Sequence, residues 1–356
     1  MHGRLAILFL ALSAACFAGC KRTPEATVTL SPLADKALYD TTSSYYTDFS
    51  KYPKNIADLP IGIFFLEGRR TPALECALTL DAFDNITAEE KSDRIRDFAG
   101  ERFICYTALS GEDNVYDSLG RLDLHDAALK HTLFLVGDKC AEGEKERAKI
   151  VIAAGNITRG TGLGDIANML QESRSGVKII GVVDEGVRSL LDILEDTPAS
   201  NYAIAMIADS LTIASGAYQR ALTDIMAERG LKGSAHLVCQ SLEAADSLSA
   251  ADISKALAAI IERHYGEGRP TPISALIADF AIDDTLRGAL LETVAGYRSK
   301  RIGGDYPYRS AIDEKLIIIN PSQCAAKECY RTLRGDNNLA LRLGDQQVTH
   351  YSDLPM

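Results

Sequence analysis

The side chains able to do chemistry are scattered along this chain. Asp279 closes the apolar run ISALIAD, and Asp184 follows KIIGVV. A carboxylate at the end of a strand stands where open α/β sheets expose their reacting groups. Crowded by apolar neighbours, such a carboxyl acquires a raised pKa and can serve as a general base. Asp283 and Asp284 read instead as caps of a helix starting near Thr285. Cys105 lies inside the apolar run RFICY and reads as a small core residue. His125 and His131 fall on one helical segment and His236 at a strand start, where surface or packing roles are the default. The cysteines show no C-x-x-C pair and no metal-ligand spacing, so no metal and no cofactor is expected. RGTGLGD, residues 159–165, matches neither G-x-G-x-x-G nor a P-loop, and reads as a strand-to-helix turn. No base, acid and orienting partner come together.

The elements that must position these groups are legible in the pattern. Apolar runs at 60–65, 102–106, 149–154, 178–183, 201–207, 235–239, 273–278 and 315–319 read as strands. Between them lie amphipathic segments such as DAALKHTLFLV, DIANMLQ, GVRSLLDIL, AYQRALTDIMAERG, ADISKALAAIIERHY and TLRGALLETVAGY. Continuously apolar strands separated by helices predict parallel sheets covered on both faces, so the class is α/β.

The N-terminus carries a different message. MHGRLAILFLALSAACFAGC has a basic start, an apolar run too short to span a bilayer, and small residues before Cys20. The ending FAGC resembles a bacterial lipobox, with cleavage before Cys20 and lipid on its thiol. Acyl chains add about 0.8 kcal/mol per buried methylene, enough in combination for a stable anchor. Residues 20–57 are polar and aperiodic and read as a tether, with an ordered arm packed through Tyr45, Tyr46, Phe49 and Tyr52 as the alternative. A net charge of −11 without a Lys/Arg cluster argues against nucleic acid as a partner and against a polybasic grip on anionic lipid.

The order of several segments resembles one family. PIGIF at 60–64, FICYTAL at 103–109 with VYDSLG at 115–120, KIVIAAGNIT at 149–158, KIIGVVDEGVRSLL at 178–191, SLTIASGAYQRAL at 210–222 and LIIINPSQCAAKECYRTL at 316–333 follow one another as in the aspartate/glutamate racemase superfamily, glutamate racemase above all. The resemblance implies two similar α/β lobes with mainly parallel sheets facing a central cleft. It divides the chain into a signal peptide at 1–19, a lipidated tether at 20–57, lobe one at 58–178 plus 315–340, lobe two at 179–314 and a C-terminal tail at 341–356. Family members move the Cα proton between two cysteines, one per lobe. Gly155, or Ala154 in a shifted alignment, stands at the first cysteine's place, and LIADFAIDDTLRGAL holds no cysteine or histidine where the second should be. The family's Asp-Ser-Gly falls at Phe65, Leu66 and Glu67. Ligand-holding positions that persist by resemblance are Asn156, Thr158, Tyr116 and Thr212.

The expectation that follows is a membrane-anchored, racemase-like lipoprotein of the bacterial cell envelope, on the exported side. It lacks two-cysteine catalysis and binds a small dicarboxylate, an amino acid or an envelope partner. An intracellular racemase feeds D-glutamate to peptidoglycan precursors, and an exported copy is separated from that pathway. Two rivals stand beside it. One is an isomerase or lyase using Asp279 or Asp184 as base; the other is an envelope scaffold with a cleft closed by Phe65, Leu66 and Phe280. Partners left open are the membrane, through lipid on Cys20, and a second copy of the chain.

Overall fold

The computed structural model describes residues 30–66, 96–107, 121–141, 143–194, 201–242, 248–269, 271–341 and 344–351. Cys20, Tyr116 and Glu67 lie outside them. The chain opens with α1 (Pro32–Tyr39), then β1 (Ile61–Phe65), β2 (Arg102–Thr107), α2 (Arg121–Val136), a two-stranded ribbon of β3 (Lys139–Cys140) and β4 (Gly143–Glu144), β5 (Ile150–Ala154), α3 (Leu163–Glu172) and β6 (Lys178–Gly181). The second half follows as α4 (Val182–Leu194), β7 (Asn201–Ala208), α5 (Ser210–Ser215), α6 (Ala217–Glu228), β8 (Ser234–Ser241), α7 (Ala250–Gly266), β9 (Ile273–Ala278), α8 (Asp284–Ser299), β10 (Ile312–Ile319), α9 (Pro321–Gly335) and β11 (Gln347–Tyr351).

Two parallel sheets result, in the orders β11-β2-β1-β5-β6 and β10-β9-β7-β8. Because side chains alternate across a strand, each sheet feeds two cores. In the first, Phe64, Ile104, Tyr106, Val151 and Ala153 meet α1, α2 and α3, while Ile63, Phe65, Cys105, Ile152 and Ala154 meet α9. In the second, Ile204, Met206 and Ile277 pack under α4 and α6, and Ala205, Ile207 and Leu276 under α7 and α8. Cys105 is thus a small core residue, and His131 is wedged edge-on against Phe64 and Tyr106.

Four expected boundaries shift. The 315–319 run pairs with β9 and belongs to lobe two, so the chain returns to lobe one only at α9. β6 stays in the first sheet, and the backbone turns helical at Val182, so Val182 and Val183 are no longer strand. The tail at 341–356 contains β11, which pairs with β2 through Gln347↔Arg102 to Tyr351↔Tyr106. From Leu30 onward the tether reading gives way to the ordered arm. Ser31 caps α1, Ala34 and Ala37 are fully buried against lobe one, and the Tyr52 hydroxyl donates to Val136 O and Ala148 O. Among the described residues no helix is long and apolar enough to cross a membrane.

The lobes are joined by α4 and α9. On α9, Ala325, Ala326, Cys329 and Leu333 enter a lobe-one core while Cys324 packs on a lobe-two core. A Cβ on Gly186 of α4 would lie 2.8 Å from the Pro321 Cβ, so only glycine allows this close approach. Asn320 holds the crossing: it caps α9 through the Gln323 amide, and its own amide donates to Ala278 O and Phe280 O at the end of β9.

Candidate functional site

The loop after β5 carries the first group of expected site residues. The Asn156 amide reaches the Thr212 hydroxyl at 3.5 Å, so residues 56 positions apart meet across the cleft between the lobes. Thr212 is itself fixed by Asp209, the N-cap of α5, whose carboxylate accepts both the Thr212 amide and its hydroxyl at 2.8 and 2.7 Å. Thr158 is 1% exposed and serves its own loop, its amide donating to the Thr161 hydroxyl. Ser215 accepts from the Ala217 amide, and Gly216 at φ 64 turns the chain from α5 into α6.

Gly155, one of the two positions expected from the resemblance to hold a cysteine, is covered. A Cβ placed on it would lie 3.1 Å from the Leu66 Cβ and 3.3 Å from its Cδ1. Leu66 therefore fills the space into which a side chain at 155 would project. Of the three residues expected to close the cleft, Leu66 packs on the lobe-one core beside Gly155, Phe65 is buried under α9 and Phe280 packs on the α7–α8 face of lobe two.

The two candidate bases separate. Asp279 ends β9 with its amide on Ile207 O and lines neither of the cavities at Asp184. Asp283 caps α8 through the Leu286 amide, as its position after the strand suggests. Asp184 sits in the first turn of α4, 5% exposed, and its Oδ2 accepts the Arg159 amide at 2.9 Å. Its Oδ1 has no hydrogen-bond partner in the protein. Burial pushes this carboxyl up to about 6, opposed by the Arg159 amide and by the charges of Arg188 and Arg159. Its neighbour Glu185 is pushed up to about 7 by burial and by the charge of Glu328.

Asp184 lines two cavities. One, of about 370 Å³, lies between the 159–160 turn and α6, with Arg220, Asp224 and Glu228 on its wall. The other, of about 410 Å³, runs between α4 and α9. The glycine turn before α3 is a packing device. Gly162 has φ 137, and a Cβ there would lie 2.4 Å from the His125 ring. The His125 Nε2 meets Asp165 at 3.0 Å, and this aspartate in the first turn of α3 also accepts the Ser31 amide. The helix start is therefore already served by an anion of the chain itself. Among the described residues no group of three His, Cys, Asp or Glu is placed to hold a metal ion.

Sequence reasoning missed Asp209 as the anchor of Thr212, and missed Arg188, Lys327 and Arg331 as walls of the larger cavity. Asp209 carried a signal, an acid directly before SLTIAS.

No family model matches the chain, and no curated protein matches it. Among solved structures it is similar to three glutamate racemases. That of Francisella tularensis subsp. tularensis SCHU S4, in complex with D-glutamate, is 17% identical, over 84% of this chain and 90% of that one, with a TM-score of 0.46. A racemase isoform from Bacillus anthracis is 17% identical over 82% and 86%, with a TM-score of 0.44. The racemase of Campylobacter jejuni subsp. jejuni is 16% identical over 83% and 94%, at 0.43. None reaches a TM-score of 0.5.

Proposed function

We propose that the chain is a membrane-anchored, glutamate-racemase-like lipoprotein without two-cysteine catalysis, whose cleft binds a small carboxylate ligand or an envelope partner. The observation that carries this reading is Leu66 lying over Gly155. A glycine can neither give nor take a proton, and a side chain placed there would press on an apolar neighbour. Asn156, Thr212 and Asp209 remain as a polar cluster linking the lobes, able to respond to a carboxylate by exchanging one partner for another.

The test is turnover of L- to D-glutamate by the chain from residue 21 onward, paired with thermal shift against both enantiomers of glutamate and aspartate and against peptidoglycan fragments. Ligand bound only by the native state raises the midpoint. The expected result is no turnover together with a shift for at least one ligand; turnover lost on changing Asn156 overturns the proposal, and no shift with any ligand favours the envelope scaffold. Gly155→Cys brings no racemisation and costs about 1–3 kcal/mol through its contact with Leu66, as overpacking does. Leu66→Ala in the same chain recovers part of that loss. Anchoring is tested by palmitate labelling, which Cys20→Ala abolishes.

A second reading, an isomerase or lyase with a carboxylate base, is favoured by one observation, the elevated Asp184 carboxyl. It requires a demonstrated activity that Asp184→Asn removes.

A further inference from the structure

The groove between α4 and α9 has unusual chemistry for a junction between lobes. A buried carboxylate oxygen normally collects donors, because leaving it without one costs about 1–3 kcal/mol or more. Asp184 is 95% shielded, yet only its Oδ2 is bonded, to the Arg159 amide. The surrounding cations divide into two sets. Arg188 meets Glu228 at 3.0 Å and Glu185 at 3.9 Å, Arg229 meets Asp192 at 2.8 Å, and Arg159 meets Glu228 at 3.4 Å. Lys327 and Arg331, one turn apart on α9, line the same groove, are exposed, and make no ion pair among the described residues.

We propose that this groove binds a small zwitterion, its ammonium group against Asp184 Oδ1 and its anionic group at the rim on Lys327 and Arg331. Both ends are needed. An anion alone meets Asp184, Glu185 and Glu328 on the walls, and an amine alone meets the two uncommitted cations at the mouth. Ser189 adds a hydroxyl to the lining. The volume of about 410 Å³ suits an amino acid or a dipeptide, at the small end of ligand sites. The groove is separate from the Asn156–Thr212 cleft, so the proposal stands independently of the function proposed above. A ligand there touches α4, which belongs to lobe two, and α9, which belongs largely to lobe one, and thereby fixes the lobes against each other.

The experiment is a calorimetric titration of the chain from residue 21 onward with glycine, 4-aminobutyrate and 6-aminohexanoate, alongside butyrate and butylamine. The series varies the distance between the charges, and the two controls each remove one of them. At least one amino acid is expected to bind with Kd of about 1 mM or tighter, with butyrate and butylamine roughly tenfold weaker or worse. Asp184→Asn keeps an acceptor for the Arg159 amide and removes the charge, and is expected to weaken binding at least about tenfold. The exposed pair Lys327→Gln/Arg331→Gln leaves the core untouched and is expected to weaken it by a similar factor. No saturable binding of any amino acid overturns the proposal, as does equal binding of butylamine. Unchanged affinity in the Lys327/Arg331 variant also overturns it, and this readout decides the matter if Asp184→Asn fails to fold.

Discussion

Glu101 and Asp184 are both buried carboxylates, and their surroundings differ in kind. Glu101 is 1% exposed and fully engaged: Lys149 lies 2.7 Å from its Oε2, and the Ala340 amide donates to its Oε1 at 2.7 Å. Lys149 spends its other protons on Ala57 O and Asn338 O. Burial pushes the Glu101 carboxyl up and the Lys149 ammonium down, and each partner's charge opposes the shift of the other. This pair ties the start of β5 to the segment after α9. Asp184, nearly as deep, has one oxygen bonded and one not. Burial alone therefore does not mark a working acid. An oxygen left without a donor is the feature that asks for a partner, because a buried polar group is normally hydrogen-bonded.

The contrast is broken most severely at Lys149. Lys149→Met leaves Glu101 charged and buried without its partner and is expected to cost about 3–5 kcal/mol, read from denaturant unfolding. Asp184→Asn should do the opposite at neutral pH. The folded-state pKa is raised from 3.8 to about 6, so the stability this group contributes is complete below about pH 4 and is lost as pH rises through 6. The two-unit difference is about 2–3 kcal/mol, so the variant is expected to be more stable than the parent at pH 7.5 by roughly that amount, and equal to it near pH 4. A variant less stable at pH 7.5 would show that Asp184 is a structural group like Glu101. Glu185→Gln is expected to remove a second slope, between about 4.5 and 7, worth about 1–2 kcal/mol after allowance for partial exposure. Arg229→Gln breaks an ion pair whose aspartate is 66% exposed, and a change within about 0.5 kcal/mol is expected.

All but one of the strands of the two sheets could be read from the chain because buried parallel strands are written as unbroken apolar runs, and all eight runs became strands. Their partners could not. KLIII announces a strand equally well beside β9 or beside β6, and only tertiary packing decides for β9. α1 escaped notice because it is held by Ala34 and Ala37, whose small side chains give no amphipathic signal in so short a helix. β11 escaped because QVTHY is mostly exposed and joins the sheet through its backbone. At the candidate site, Asn156 and Thr212 were legible one by one, and their meeting was not. The α4–α9 groove was invisible, since its two walls lie well over a hundred residues apart and neither is patterned except as an ordinary helix with a charged face.

The return of the chain to the first sheet sets an order of assembly. Lobe two is one continuous stretch from Val182 to Ile319, so all its strands have been synthesised before lobe one has its last. The first sheet begins with β1 near residue 61 and is complete only with β11 at 347–351. Until those last residues arrive, that side of β2 has no partner strand among the described residues and can pair with an extended chain nearby. A copy that stops short of Gln347 keeps every residue of the cleft and the groove, and its weakness is a tendency to associate through that edge.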